Sequence, residues 1–156
     1  MTRENLKRIA EDPKTFLLRG RNTKTLISAK QKRIEEWRRR AESISVALKP
    51  GGTGGGSGYK QSIVENAVAN IVDLENEILS EIQALIGIEK DVREAIDILI
   101  TDDRYKVILE LRYIHHLKLE EIAVQLNYAF RWVQKLNGQA LVALKEAALR
   151  RVELVI

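Results

Sequence analysis

Apolar residues recur at steps of three and four along most of this chain, the period of an α-helix with one buried face. Between about Thr25 and Leu48 they are Ile27, Ile34, Trp37, Ala41, Ile44 and Leu48. From Ile34 the steps are 3, 4, 3 and 4, a heptad seam suited to packing on another helix. Trp37 lies on that seam and reads as a core residue. A longer run, from about Gln61 to Ile100, carries Ile63, Ala67, Ile71, Leu74, Ile78, Ile82, Leu85, Ile88, Val92, Ile96 and Leu99 at the same spacing. A helix of that length spans about 60 Å, far more than the first can cover. Beside its main stripe stand Val64, Val68, Val72, Leu79 and Ile86, so its apolar face is too wide for one partner.

Turn-forming residues punctuate these runs. Asp12-Pro13 followed by Gly20 frames a short helix, with a cap, a proline at the first position and a glycine past the end. The stretch from Pro50 to Gly58 is almost entirely glycine and reads as a flexible connection. A phosphate-binding loop would follow a strand and run Gly-Lys-Ser/Thr into a helix. Here a helix precedes, and Tyr59 separates Gly58 from Lys60. Gly87 marks a candidate bend, because a mid-helix glycine costs about 1 kcal/mol relative to alanine. Thr101-Asp102-Asp103 is a cap signature. It predicts a helix through Tyr113, a break at Ile114-His115-His116, a helix over 119–126 and a last one from Phe130. The chain thus reads as all-α: a basic N-terminal arm with a short helix (1–22), a long antiparallel, coiled-coil-like helical hairpin with a Gly-rich loop at 50–58 (23–100), and a helix-turn-helix domain (101–156).

Composition narrows the chemistry. Of 156 residues, 45% are apolar and none is cysteine. Disulfides, thiolate metal sites and cysteine nucleophiles are thereby excluded. No run approaches the ~20 apolar residues of a membrane span, and the first residues lack the apolar core of a signal peptide, so a soluble intracellular protein is expected. Net charge is +4, unevenly spread. Residues 1–50 hold 14 Lys/Arg against 6 Asp/Glu, residues 51–100 hold 3 against 9, and the remainder 9 against 7. An acidic middle repels phosphate, so nucleic-acid contact falls to the two ends. Opposite charges on the two long helices fit their mutual pairing.

The stretch from Leu119 to Leu136 carries the function. Two short helices that cross closely need a small residue at the crossing, a left-handed residue four positions on and a β-branched apolar residue six beyond that. Ala123, Asn127 and Val133 meet those demands, and asparagine is a usual non-glycine occupant of the left-handed region. Ile122, Leu126 and Leu136 complete the core. The outward face of the second helix then presents Phe130, Arg131, Trp132, Gln134 and Lys135, the candidate DNA-binding residues. Lys14, Arg19, Arg21 and Lys118 are candidate phosphate contacts. The plain alternative is a helical corner with a solvated face.

Leu111-Arg112-Tyr113, Leu119-Glu120-Glu121-Ile122-Ala123, Val133 and Ala140-Leu141 together resemble the region-4 domain of bacterial sigma factors. With the basic first helix, the Gly-rich break and Ile71-Val72-Asp73-Leu74-Glu75-Asn76-Glu77-Ile78, the arrangement over about 26–148 resembles the RinA/ArpU-like phage late-transcription regulators. That resemblance implies a phage- or prophage-encoded, sequence-specific activator of late genes. It would act in the bacterial cytoplasm on double-stranded promoter DNA, and RNA polymerase is a further expected partner. Ala129 stands where sigma-like domains carry a Ser or Thr cap, and Phe130 and Trp132 replace residues that are commonly polar or basic.

Other signals are weaker. His115, His116 and Glu120 supply too few ligands for a metal, and the carboxylates of 65–97 lie along a helix face, not in a pocket. No metal, cofactor or enzymatic activity is expected. Two further classes are a DNA-packaging adaptor of the small-terminase kind and a protein-interaction module with a degenerate helix-turn-helix. The wide stripe on the longest helix predicts a homodimer through the hairpin.

Overall fold

The computed structural model describes residues 1–47 and 57–154, and those residues are helical with short connections. The elements are α1 (Arg3–Glu11), α2 (Pro13–Ala47), α3 (Ser57–Leu99), α4 (Asp103–Leu109), a π-helical turn (Glu110–Ile114), α5 (Leu119–Leu126) and α6 (Phe130–Leu154). Apart from Ser57 and Gly58, which open α3, the expected Gly-rich loop at 50–58 lies outside the described residues. Among the described residues, no helix is long and apolar enough to cross a membrane.

Two compact units form. One joins residues 1–22 with 85–156, and the other comprises residues 23–84. Residues 1–22 therefore do not stand apart as an arm. Leu6, Ile9, Phe16 and Leu17 are buried with Val92, Ala95, Ile96 and Leu99 of α3, and with Ala140, Leu144 and Ala148 of α6. The reason is area: so many large apolar side chains at one end need a shared core. The last turns of α3 likewise belong with the C-terminal helices.

The chain enters that unit through two capped helices. The Thr2 side chain accepts from the Asn5 amide to start α1. Asp12 breaks the helix with extended backbone and caps α2, its Oδ1 accepting from the Thr15 amide at 3.1 Å. Pro13 then occupies the first position of α2, where its missing N–H is harmless. Gly20 does not end this helix. It is buried inside α2, where a Cβ would lie 3.7 Å from Ile88 Cγ2 and Leu85 Cδ1 and 3.8 Å from His116 Cε1. The glycine is a buried mid-helix position with room for a methyl group, not a C-cap. α3 also continues as one helix through Gly87.

In the second unit, Ile34 of α2 is buried with Leu74 and Ile78 of α3, and Ile27, Trp37 and Ile71 pack around them. Lys30 Nζ lies 2.9 Å from Glu81 and 3.4 Å from Glu77, and Arg38 lies 3.6 Å from Glu75. Residues that ascend along α2 meet residues that descend along α3, so these segments run antiparallel. The basic and acidic faces do meet, as their charge pattern suggests.

Candidate nucleic-acid interface

α4, α5 and α6 enclose a small core of Ile108, Ile122, Ala123, Val133 and Leu136, with Leu119 and Leu126 packed at its edge. α4 starts from Asp102, whose side chain accepts from the Arg104 amide at 2.9 Å and pairs with the Arg104 guanidinium at 3.0 Å. That contact holds the Asp102 carboxyl below the usual carboxylate range. After α4 the backbone widens into the π-helical turn. Leu117 N–H reaches back to the Leu111 carbonyl at 3.1 Å, and Arg112 donates to the Leu117 carbonyl at 2.8 Å. Tyr113 is buried there, and burial raises its phenol pKa.

α5 ends at Asn127, in the left-handed region with φ 56° and ψ 44°. This conformation lets the Tyr128 amide donate to the Ala123 carbonyl at 2.9 Å and the Asn127 amide to the Val124 carbonyl at 3.2 Å. The chain passes from α5 into α6 within three residues. Ala123 is buried in the core that α5 shares with Val133 and Leu136 of α6. The Ala129 carbonyl accepts from the Trp132 and Val133 amides at 3.0 and 3.1 Å, so α6 begins there without a side-chain cap.

Val133 and Leu136 are fully buried and fix the rotation of α6 about its axis. The opposite side is consequently displayed. Phe130 is 39% exposed and Trp132 38% exposed, and Arg131, Gln134 and Lys135 are also exposed. All five expected DNA-binding residues thus share the displayed start of one helix. From Ile122 through Leu144 the chain contains no Asp or Glu, only Arg131 and Lys135 as charges. A shallow groove of about 480 Å³ continues past Gln134 and Lys135, between Tyr105, Gly138, Gln139 and Val142, and ends at Glu146. The Tyr105 hydroxyl donates to Gln139 Oε1 across it at 3.3 Å.

The candidate phosphate contacts are less uniform. Lys118 is exposed at the start of α5, and Lys14 is exposed in the first turn of α2. Arg21 is half-buried. Arg19 is engaged internally: its guanidinium carbon lies 4.3 Å from the Phe16 ring centre, its Nε donates to the Phe16 carbonyl, and Asp91 lies 3.9 Å away. Burial pulls its pKa below the ordinary arginine value. Arg19 therefore braces the core, a role its sequence neighbourhood does not announce because Asp91 is remote in the chain.

Sequence reasoning also passed over Tyr128, 42% exposed in the turn, and Val124, 83% exposed on α5. Val124 was legible, since Ile122, Ala123 and Leu126 already claim the inner face of that short helix. His116 adopts φ 57° and is half-buried, and His115 is exposed. Among the described residues, no three His, Cys, Asp or Glu gather as metal ligands. No family model, curated protein or solved structure matches this chain.

Proposed function

We propose that this chain is a sequence-specific DNA-binding transcription regulator that reads duplex DNA with the first turns of α6. In this reading α5 and α6 form a sigma region-4-like helix-turn-helix, and the paired segments of α2 and α3 form a coiled-coil-like hairpin. The observation that carries it is the displayed face over residues 130–144 of α6, which holds no Asp or Glu. Buried Val133 and Leu136 lock the helix while Arg131, Gln134 and Lys135 stand exposed. Those three side chains can donate to base edges and phosphates, and a major groove admits one α-helix. The resemblance to phage late-transcription regulators makes promoter DNA the expected target and gene activation the expected outcome, with RNA polymerase a further partner.

The test is selection of duplexes from a random pool by the full chain at low salt. A recurring sequence motif is expected among the retained duplexes. A pool that stays random, or is never retained, would refute the reading and leave Phe130 and Trp132 as protein contacts.

A further inference from the structure

Helix α3 carries two apolar seams side by side. One, through Ile71, Leu74 and Ile78, packs on Ile34 and Trp37 of α2. The other is displaced by one residue and runs Val68, Val72, Glu75, Leu79 and Ile82, at steps of 4, 3, 4 and 3. Within the unit of residues 23–84 it is open: Val68 is 53%, Val72 48%, Leu79 60% and Ile82 39% exposed. A heptad seam of exposed β-branched and leucine side chains, broken only at its centre by Glu75, is a helix-pairing surface.

The charges beside it say which helix would pair there. Between Gln61 and Ala84 the chain has no Lys or Arg but holds Glu65, Asp73, Glu75, Glu77 and Glu81. An open groove of about 1080 Å³ runs alongside, where Lys32, Arg38 and Arg39 of α2, with Glu35 and Glu36 between them, flank Ile34, Ile78 and Leu79. One face thus offers an apolar strip, an acidic helix and a helix on which Lys and Arg outnumber Glu. Such a face is complementary to its own two-fold image.

We propose that a second copy of this chain docks on this face, with the two α3 helices antiparallel about a dyad at Glu75. Val68 and Ile82 stand seven residues either side of Glu75 and meet across the dyad. Val72, three residues before Glu75, comes beside Leu79, four residues after it. The two Glu75 carboxylates face each other at the centre, and Arg38, already 3.6 Å from Glu75, supplies the countercharge in each copy. This inference does not depend on the DNA reading.

The chain lacks cysteine, so introduced cysteines report cleanly on the dyad. Sedimentation equilibrium of the full chain at tens of micromolar should give about twice the 17.8 kDa chain mass. Val72→Glu with Leu79→Glu should sediment at the single-chain mass with unchanged helical circular dichroism. Under mild oxidation, Glu75→Cys should cross-link to its own copy, Val68→Cys alone should not, and a mixture of Val68→Cys with Ile82→Cys chains should. If the double glutamate variant fails to fold, the cross-linking pattern decides. A single-chain mass for the unaltered protein at every concentration would overturn the proposal and assign the seam to a different protein. A dimer indifferent to the glutamates would overturn it, as would self-cross-linking of Val68→Cys, the sign of parallel pairing.

Discussion

Lys135 holds its ammonium nitrogen 5.7 Å from the centre of the Trp132 ring, within the range of a cation–π contact. The two residues are one turn apart on α6, and both rings of its first turn, Phe130 and Trp132, remain partly open. An apolar group entering a major groove finds one apolar partner there, the C5 methyl of thymine. Replacing thymine by deoxyuridine throughout the preferred duplex should therefore weaken binding several-fold. Its salt dependence should not change, because no phosphate contact is lost. Fluorescence anisotropy on paired thymine and deoxyuridine duplexes measures both. Equal affinity would place the rings away from the bases.

Asn127 ends α5 in the left-handed region, and its φ of 56° is strained for most side chains. Asn127→Ala should cost about 1 kcal/mol, whereas Asn127→Gly should be tolerated. Urea unfolding of the two variants beside the unaltered chain gives the comparison. Equal stabilities for alanine and asparagine would mean that the turn does not depend on this residue.

Gly20 gives the opposite expectation. Its position is helical, and a Cβ would meet Leu85, Ile88 and His116 at ordinary contact distances. Gly20→Ala should accordingly stabilise the chain, by up to about 1 kcal/mol of helix propensity. A lowered melting temperature would reveal that the helices approach more closely than these distances indicate.

Much of this architecture is written in periodicity and turn residues. The packing of Ile34 and Trp37 of α2, the stripe of α3 apart from the exposed Ile82, the cap at Asp12 and the left-handed Asn127 each follow from local chemistry. Gly20 lies inside α2 and not past its end; a glycine within a helix and a glycine that ends one look alike in sequence. The π-helical turn and the left-handed His116 have no strong local signal, although histidine is among the residues enriched at positive φ. The engagement of Arg19 with Asp91 and the joining of residues 1–22 to α6 depend on contacts between distant segments. The displayed face of α6 was legible, because the burial of Val133 and Leu136 fixes which residues remain outside.

Two helix caps link stability to pH. Hydrogen bonds from Thr15 hold the Asp12 carboxyl below its ordinary pKa, and Arg104 does the same for Asp102. As pH falls, the unfolded chain takes up protons at these positions before the folded chain does. Their contribution is therefore full above about pH 5 and is lost as pH drops through the carboxylate range. Melting temperatures recorded from pH 6 to pH 3 should decline. Asp12→Asn with Asp102→Asn, which keeps a capping oxygen but no charge, should decline less. An identical slope in both proteins would assign the acid sensitivity to other carboxylates.

The most direct test of DNA reading by α6 is a titration of the selected duplex with the unaltered chain and with Arg131→Ala, Lys135→Ala. Each good base contact is worth about 1–3 kcal/mol. The double variant should therefore bind at least tenfold more weakly, with its helical circular dichroism intact because both side chains are exposed. Unchanged affinity in a correctly folded double variant would contradict the account and move the DNA contact off this helix.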